Sequence, residues 1–336
     1  MTPTRKSKVQ TVFEVREQRP DNDRMISQWG LRSAIVLLLA LTALPAGSGI
    51  ASAHAGGLAP SASRSEIRGI DPPVTGLRVR VIEAGARLEI DNQTGATVDV
   101  LAEPGANRRR EPTVPPGGTA RWSDNRVIAA AQAPDPPNHR RAWAIPLQVG
   151  GQTVTIHGEQ IWPPPPSAGR WWLATGLAAL VAGVIGALAV RRWRGAAAVL
   201  ASATVTIAAA HFIHVLGSTL VLPQDQPLLA MIIGSAGPAI VAWPLAVVGP
   251  ALAIAGHPSG PMFCGLCGAL LALFTAPDVV SYFYAVLPFG WNPNLDRATT
   301  ALTVGGGVGL FLTGILVTHA LSPTAPAASP AELHPD

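Results

Sequence analysis

The sequence predicts a membrane protein in two parts: a small all-β, immunoglobulin-like sandwich outside the cytoplasm, then a bundle of about five transmembrane helices. Three observations carry this reading. Trp171 to Val190 and Gly195 to Leu222 are free of charge, and about 20 apolar residues are enough to cross a bilayer core. The joint between them, Arg191-Arg192-Trp193-Arg194, holds three of the five basic residues found from Arg170 onward. Lys and Arg are retained on the cytoplasmic side of a membrane, so the joint is expected inside the cell. Ahead of Trp162, apolar and polar residues alternate with period 2 between turn signals, as in half-buried strands.

Composition supports the same division. Only 13% of the 336 residues are charged, against about 25% in ordinary soluble domains. The net charge of +4 rests on arginine, since Lys6 and Lys8 are the only lysines. The basic residues concentrate in the N-terminal tail, the Arg191–Arg194 joint and Arg108-Arg109-Arg110, which gives nucleic-acid binding no support. Both cysteines fall in the helical half, so the exported half is expected to fold without a disulfide despite its oxidising destination.

Residues 1–53 read as a signal-peptide region. Ala34 to Leu44 form an apolar core, Arg32 precedes it, and Ala51-Ser52-Ala53 fits the A-x-A cleavage pattern. Cleavage after Ala53 is expected, with an uncleaved anchor as the alternative. The mixed-charge stretch before Met25 makes Met25 the expected start.

Residues 54–162 form the β-part. Leu77, Val79 and Val81 alternate with Arg78 and Arg80; Glu83-Ala84-Gly85-Ala86 is a tight turn; Leu88 and Ile90 alternate with Arg87, Glu89 and Asp91. Asn92-Gln93-Thr94-Gly95 is a second turn, leading into Thr97–Leu101. Trp143–Val149, Gly150-Gly151 and Gln152–Trp162 make another hairpin. Between Glu103 and Asn138, Pro, Gly and Arg indicate loops, with one strand at Gly118–Trp122. The prolines of the linker 163–170 favour a stiff extended spacer, and Trp171-Trp172 fit the outer headgroup level.

Two runs of this domain, Gly69 to Ile82 (GIDPPVTGLRVRVI) and Arg87 to Gly95 (RLEIDNQTG), resemble uncharacterised conserved membrane proteins of actinobacteria. Those proteins have a signal peptide, a secreted β-domain and a C-terminal membrane bundle. The architecture matches over nearly the whole chain, while the specific motif is confined to residues 69–101. The resemblance implies an envelope protein associated with copper handling. The family continues with a G-x-x-A-R-W-like motif and a His-rich stretch. Here Gly118-Thr119-Ala120-Arg121-Trp122 is present, but Ser123-Asp124-Asn125-Arg126 holds no histidine.

The membrane part spans 171–321, with helices expected at about 171–190, 196–217, 227–255, 261–287 and 298–321. The third is long for one crossing and carries Gly237-Pro238, Pro244 and Gly249-Pro250, so a kinked single span is expected, with two spans as the alternative. Trp291–Arg297 reads as an outer loop. Gly305-x-x-x-Gly309 permits close helix packing, and the tail 322–336 is expected in the cytoplasm, disordered.

Chemistry-bearing residues are few. His211 and His214, at spacing i, i+3, share one face near the outer end of the second helix, and imidazole is a common ligand for copper or zinc. Asp278, also toward the outer side, would complete such a site. The alternative is plain hydrogen bonding to a neighbouring helix. Cys264-Gly265-Leu266-Cys267, at the inner end of the fourth helix, has the ligand types for Cu(I), with packing between helices as the simpler role. Cleavage after Ala53 would expose His54, whose amine and ring can chelate copper together with His139 or His157. No nucleophile elbow, phosphate loop or zinc-protease helix is present. The expected function is a non-enzymatic envelope protein with a ligand- or partner-binding β-domain, working beside the lipid bilayer and other envelope or copper-handling proteins. The alternative is a transporter or channel component using His211, His214 and Asp278.

Overall fold

The computed structural model describes residues 58–102, 111–128, 139–190 and 195–321. The signal region with His54, the Arg108–Arg110 run, the Arg191–Arg194 joint and the tail after Leu321 lie outside the described residues.

Eight strands build the β-domain: β1 Arg64–Asp71, β2 Leu77–Ile82, β3 Arg87–Asn92, β4 Val98–Val100, β5 Thr113–Val114, β6 Thr119–Trp122, β7 Arg140–Val149 and β8 Gln152–Ile161. They form two antiparallel sheets, ordered β1-β8-β7-β4-β5 and β2-β3-β6. Period-2 alternation decides what goes inside. Leu88 and Ile90 of one sheet meet Ile145, Leu147, Val154 and Ile156 of the other in a single core. The first and last strands are neighbours in one sheet here, whereas constant-type immunoglobulin domains place them in opposite sheets.

The first strand was not expected from the sequence, for a physical reason. A bulge between Ile67 and Gly69 shifts its register against β8, so its core-facing residues Ile67 and Ile70 stand three apart and no period-2 signal survives. Its remaining charged side chains suit an edge strand. The turn at Asn92 did form: its buried Nδ2 donates to the carbonyls of Ala96, Val114 and Pro115, at 2.9, 2.9 and 3.0 Å.

On the outer face of the smaller sheet, Arg80, Glu89 and Arg121 stand in one cross-strand row. Hydrogen bonds from Arg80 and then Arg121 hold the buried Glu89 carboxyl below the usual carboxylate range. Arg121 also donates to Asp225, at 2.6 Å, in the loop after the second helix. That bond depresses the Asp225 carboxyl, and with the Glu89 bond it pushes the Arg121 guanidinium up.

The helical part comprises α1 Ala168–Val190, α2 Ala196–Thr219, α3 Leu228–Ala236, α4 Ala242–Ile254, α5 Gly260–Thr275 and α6 Pro293–Leu321. Tight 3-10 turns at Gly237–Val241 and Ala276–Tyr282 join α3 to α4 and extend α5. Five helical segments are long and apolar enough to cross a bilayer: Ala168–Gly186, Ala196–Thr219, Leu228–Ile254, Gly260–Tyr282 and Pro293–Val317. The third, Leu228–Ile254, is one kinked helical segment. Gly237 takes φ 53° and Pro238 cannot donate, which interrupts the helical ladder there. The fourth stops at Tyr282 rather than running toward Leu287.

The fifth span begins earlier than expected. The Asn292 side chain accepts the Asn294 N–H at 2.8 Å, capping a helix that opens with Pro293. Asp296 and Arg297 therefore sit in its first turns, not in a loop.

Helix α6 is the hub of the bundle. Successive residues on a helix point about 100° apart, and Gly305, Gly306 and Gly307 accordingly face three neighbours. A Cβ on Gly305 would fall 2.0 Å from the Thr175 carbonyl of α1, one on Gly306 2.7 Å from Ile207 of α2, and one on Gly307 2.5 Å from the Gly268 carbonyl of α5. Gly309 repeats the α1 contact one turn on, at the Ala179 carbonyl, so the Gly305-x-x-x-Gly309 pattern does mark a close crossing. Contacts 175–305 and 179–309 make α1 and α6 parallel; contacts 265–314 and 268–307 make α5 and α6 antiparallel. The start of α1, the end of α2, the end of the fourth span and the start of α6 thus share one end of the bundle. The β-domain sits there, bonded to Asp225 and, through a two-way backbone bridge of 2.9 and 3.0 Å, from Ser61 to Val286.

Candidate functional site

At that end, side chains from three spans converge on His214. Position i, i+3 puts His211 and His214 on one face of α2, and both are buried against the bundle. The His214 Nδ1 lies 2.8 Å from Asp296 Oδ1 on α6, and its Nε2 lies 3.3 Å from Asp278 Oδ2 on the 3-10 turn. The Nδ1–Asp296 contact is a hydrogen bond, and the Nε2–Asp278 contact is a longer ion-pair approach. Phe289, from the loop 283–292, stacks on the His214 ring at 6.5 Å and 22°. Asp296 and His214 are almost wholly inside, while the Asp278 side chain keeps 18% of its surface exposed.

His211 has a different environment. Its Nδ1 accepts the Trp243 indole N–H at 3.1 Å. Trp is a donor only, so this nitrogen carries no proton and the ring is neutral in this arrangement. The two histidines are therefore neighbours, with ring centroids 6.4 Å apart, but have different partners.

Arg297 completes the polar end. It is buried and donates through Nε to the Ser281 carbonyl at 2.9 Å, and through its other nitrogens to Asn294 Oδ1 and the Tyr284 carbonyl. It thereby pins the loop that carries Val286 and Phe289. Beside it, the Thr175 and Tyr282 hydroxyls meet at 3.0 Å, tying α1 to the same corner.

Sequence reasoning brought forward His211, His214 and Asp278, and the structure places Asp278 on His214. It missed Asp296, Arg297 and Trp243. Charges ahead of a span read as loop, although the Asn292-Pro293 cap was available as a helix-start signal. The cysteines are elsewhere: Cys264 and Cys267 lie buried at the opposite end of α5, packed with Ala242, Ala246 and Leu310. Cys267 Sγ contacts the Ala242 carbonyl at 3.4 Å, and Cys264 closes on Gly249. His139 and His157 are exposed on the β-domain. Among the described residues, no group of three or more His, Cys, Asp and Glu side chains is placed to hold a metal ion. As a ligand, His214 would have to release a carboxylate, and His211 would have to release Trp243 or bind through its other nitrogen.

A second feature lies in the β-domain beside the Ser61–Val286 bridge. A pocket of about 240 Å³ is bounded by Ser61, Ser63, Glu83, Val127, Ile128 and Gln160, among others. Gln160 Nε2 donates to Ser63 Oγ at 3.0 Å, both buried. Its rim is strained: Glu83 and Ala84 are consecutive non-glycine residues at φ 53° and 55°. Such conformations cost roughly 1–3 kcal/mol each and gather at ligand clamps and switch regions. The chain matches no protein-family model, no curated protein and no solved structure.

Proposed function

We propose that the protein is a non-enzymatic integral membrane protein of the cell envelope whose β-domain, held outside the cytoplasm, binds a small ligand or partner in its pocket. The observation that carries this reading is the pocket with its strained Glu83-Ala84 rim, set where the β-domain is bonded to the loop 283–292. The Arg191–Arg194 joint supplies the orientation, with that joint in the cytoplasm. Copper handling remains within this reading through the family resemblance. The test is a thermal-shift series on the full-length protein in detergent with Cu(I), Cu(II) and a panel of small amines. A rise in Tm that disappears in Ser63→Trp, which fills the pocket, supports the reading. No rise with any probe, or a rise that Ser63→Trp leaves unchanged, overturns it.

One observation favours a second reading, a transport component: ionisable groups inside a membrane domain are costly and default to function, and His214, Asp278 and Asp296 come from three spans. Proteoliposomes would then show proton or copper flux that His214→Ala and Asp296→Asn abolish.

A further inference from the structure

Several threonine hydroxyls in the helical domain bond back to the carbonyl four residues earlier, as Thr204, Thr219, Thr299 and Thr313 do. Four buried ones do not. Thr275, Ser281, Thr300 and Thr303 have no hydrogen-bond partner among the described residues, and each is at most 3% exposed. Their positions are related. Asp296, Thr300 and Thr303 stand at i, i+4 and i+7, one face of α6. Thr275, Asp278 and Ser281 stand at steps of three on the end of α5 and its 3-10 extension, where residues three apart eclipse. The two faces belong to packed antiparallel neighbours. Gly268 meets Gly307 backbone to backbone, and a Cβ on Gly307 would come within 3.0 Å of Ala272. One turn beyond that contact on each helix lie Thr275 and Thr303.

We propose that this seam is a hydrated inlet: water enters beside Asp278 from the β-domain side, passes His214 and is bound by Thr300, Thr303, Thr275 and Ser281. A buried unsatisfied hydroxyl costs roughly 1–3 kcal/mol, and four in one seam are retained at such a cost only with a ligand that each can bond. Buried water, with about three hydrogen bonds, is the ligand that neutral hydroxyls suit. A metal cation suits the seam less. The charged and titratable groups facing it are His214, Asp278 and Asp296, with Arg297 and Tyr282 at its mouth and His211 behind. His214 already engages both carboxylates, and the buried Arg297 stands beside them. From Asp296 to Thr303 the inlet descends about 10 Å and ends at the Gly268–Gly307 contact. It is a half-path from one face, not a channel. This inference is independent of any ligand for the β-domain pocket.

The test uses full-length protein in nanodiscs on a Cys264→Ala/Cys267→Ala background, probed with a small cationic methanethiosulfonate. Thr300→Cys and Thr303→Cys are expected to react roughly tenfold faster than Thr313→Cys, which is buried and reachable only through local opening. Equal rates at all three overturn the inlet. Valine substitutions provide the second readout in case the cysteine variants fold poorly. A water-bonded hydroxyl makes Thr300→Val and Thr303→Val lower Tm by roughly 2–4 °C, whereas an unchanged or raised Tm means the hydroxyls bond nothing and overturns the proposal.

Discussion

The β-domain and the helical bundle place their polar and apolar groups in different arrangements. The β-domain buries large side chains, Leu88, Ile90, Ile145, Leu147 and Ile156, and turns most of its charges outward, with Glu83, Glu89 and Asp124 buried. The bundle has an apolar core too, with Leu200, Leu271 and Leu310 buried, but it also leaves many large apolar side chains exposed. Among the described large apolar side chains that stand exposed, only Ile128 belongs to the β-domain; the others, such as Leu180 and Val247, belong to the helices and their connecting loops. Its interior carries glycine contacts, threonines and the His214 cluster. Water drives apolar bulk inward. Lipid supplies no such drive, so helices associate through close backbone approach and internal polar bonds. A buried charge pair is thus an exception in the β-domain, at Asp124 and Arg126, and the organising feature of the bundle. At Asp124, burial raises the carboxyl, but hydrogen bonds from Arg126 outweigh it and hold it low.

The comparison breaks most visibly at the cluster. Removing one partner of a buried ion pair typically costs roughly 3–5 kcal/mol, while apolar replacement of both is far milder. Asp296→Ala is expected in that range, and His214→Leu/Asp296→Leu at less than either single change, by reversible unfolding in mixed micelles. A single change below about 1 kcal/mol, the range of exposed pairs, would mean the bundle does not depend on this site.

Glycine substitutions sharpen the contrast next. In Gly305→Ala the new Cβ meets a backbone carbonyl at 2.0 Å, whereas in Gly158→Ala it meets the Trp143 ring at 2.1 Å. Overpacking costs roughly 1–3 kcal/mol. The α6 variant should fall at the upper end, because its obstacle is another helix's backbone and the helices must separate. The β8 variant should cost less, because a side chain can shift, and Gly69→Ala, with open space around it, should be neutral. Unfolding curves of the three variants check this order.

The orientation is tested on wall-stripped cells. Added protease should remove the β-domain and spare a C-terminal tag; the opposite pattern inverts the topology and puts the inlet on the cytoplasmic face.

The smallest effect is expected at the Arg121 bridge. Glu89 and Asp225 have folded carboxyl values below their unfolded ones. Their contribution is therefore complete above the unfolded carboxylate range, about pH 4, and is lost as pH falls through the lower folded values. Hydrogen exchange in the loop 220–227 should stay constant from neutral pH to about 5 once intrinsic rates are divided out, and rise only below about 4. A rise near neutrality would show that another contact holds the domains together.

The amino-acid order by itself determined whatever depends on one segment and its solvent. Strand patterning located six of the eight strands, charge-free length located five long apolar helices, and spacing put His211 beside His214 on one face. The tertiary structure alone decided which faces meet. It brought Asp296 and Asp278 to the two nitrogens of His214, gave Trp243 to His211, and turned Gly305, Gly306 and Gly307 toward three different helices. Local patterns report a residue's burial, but a partner's identity depends on register between segments far apart in sequence. That register is set by backbone contacts such as Gly268–Gly307, which leave no periodic trace in either helix.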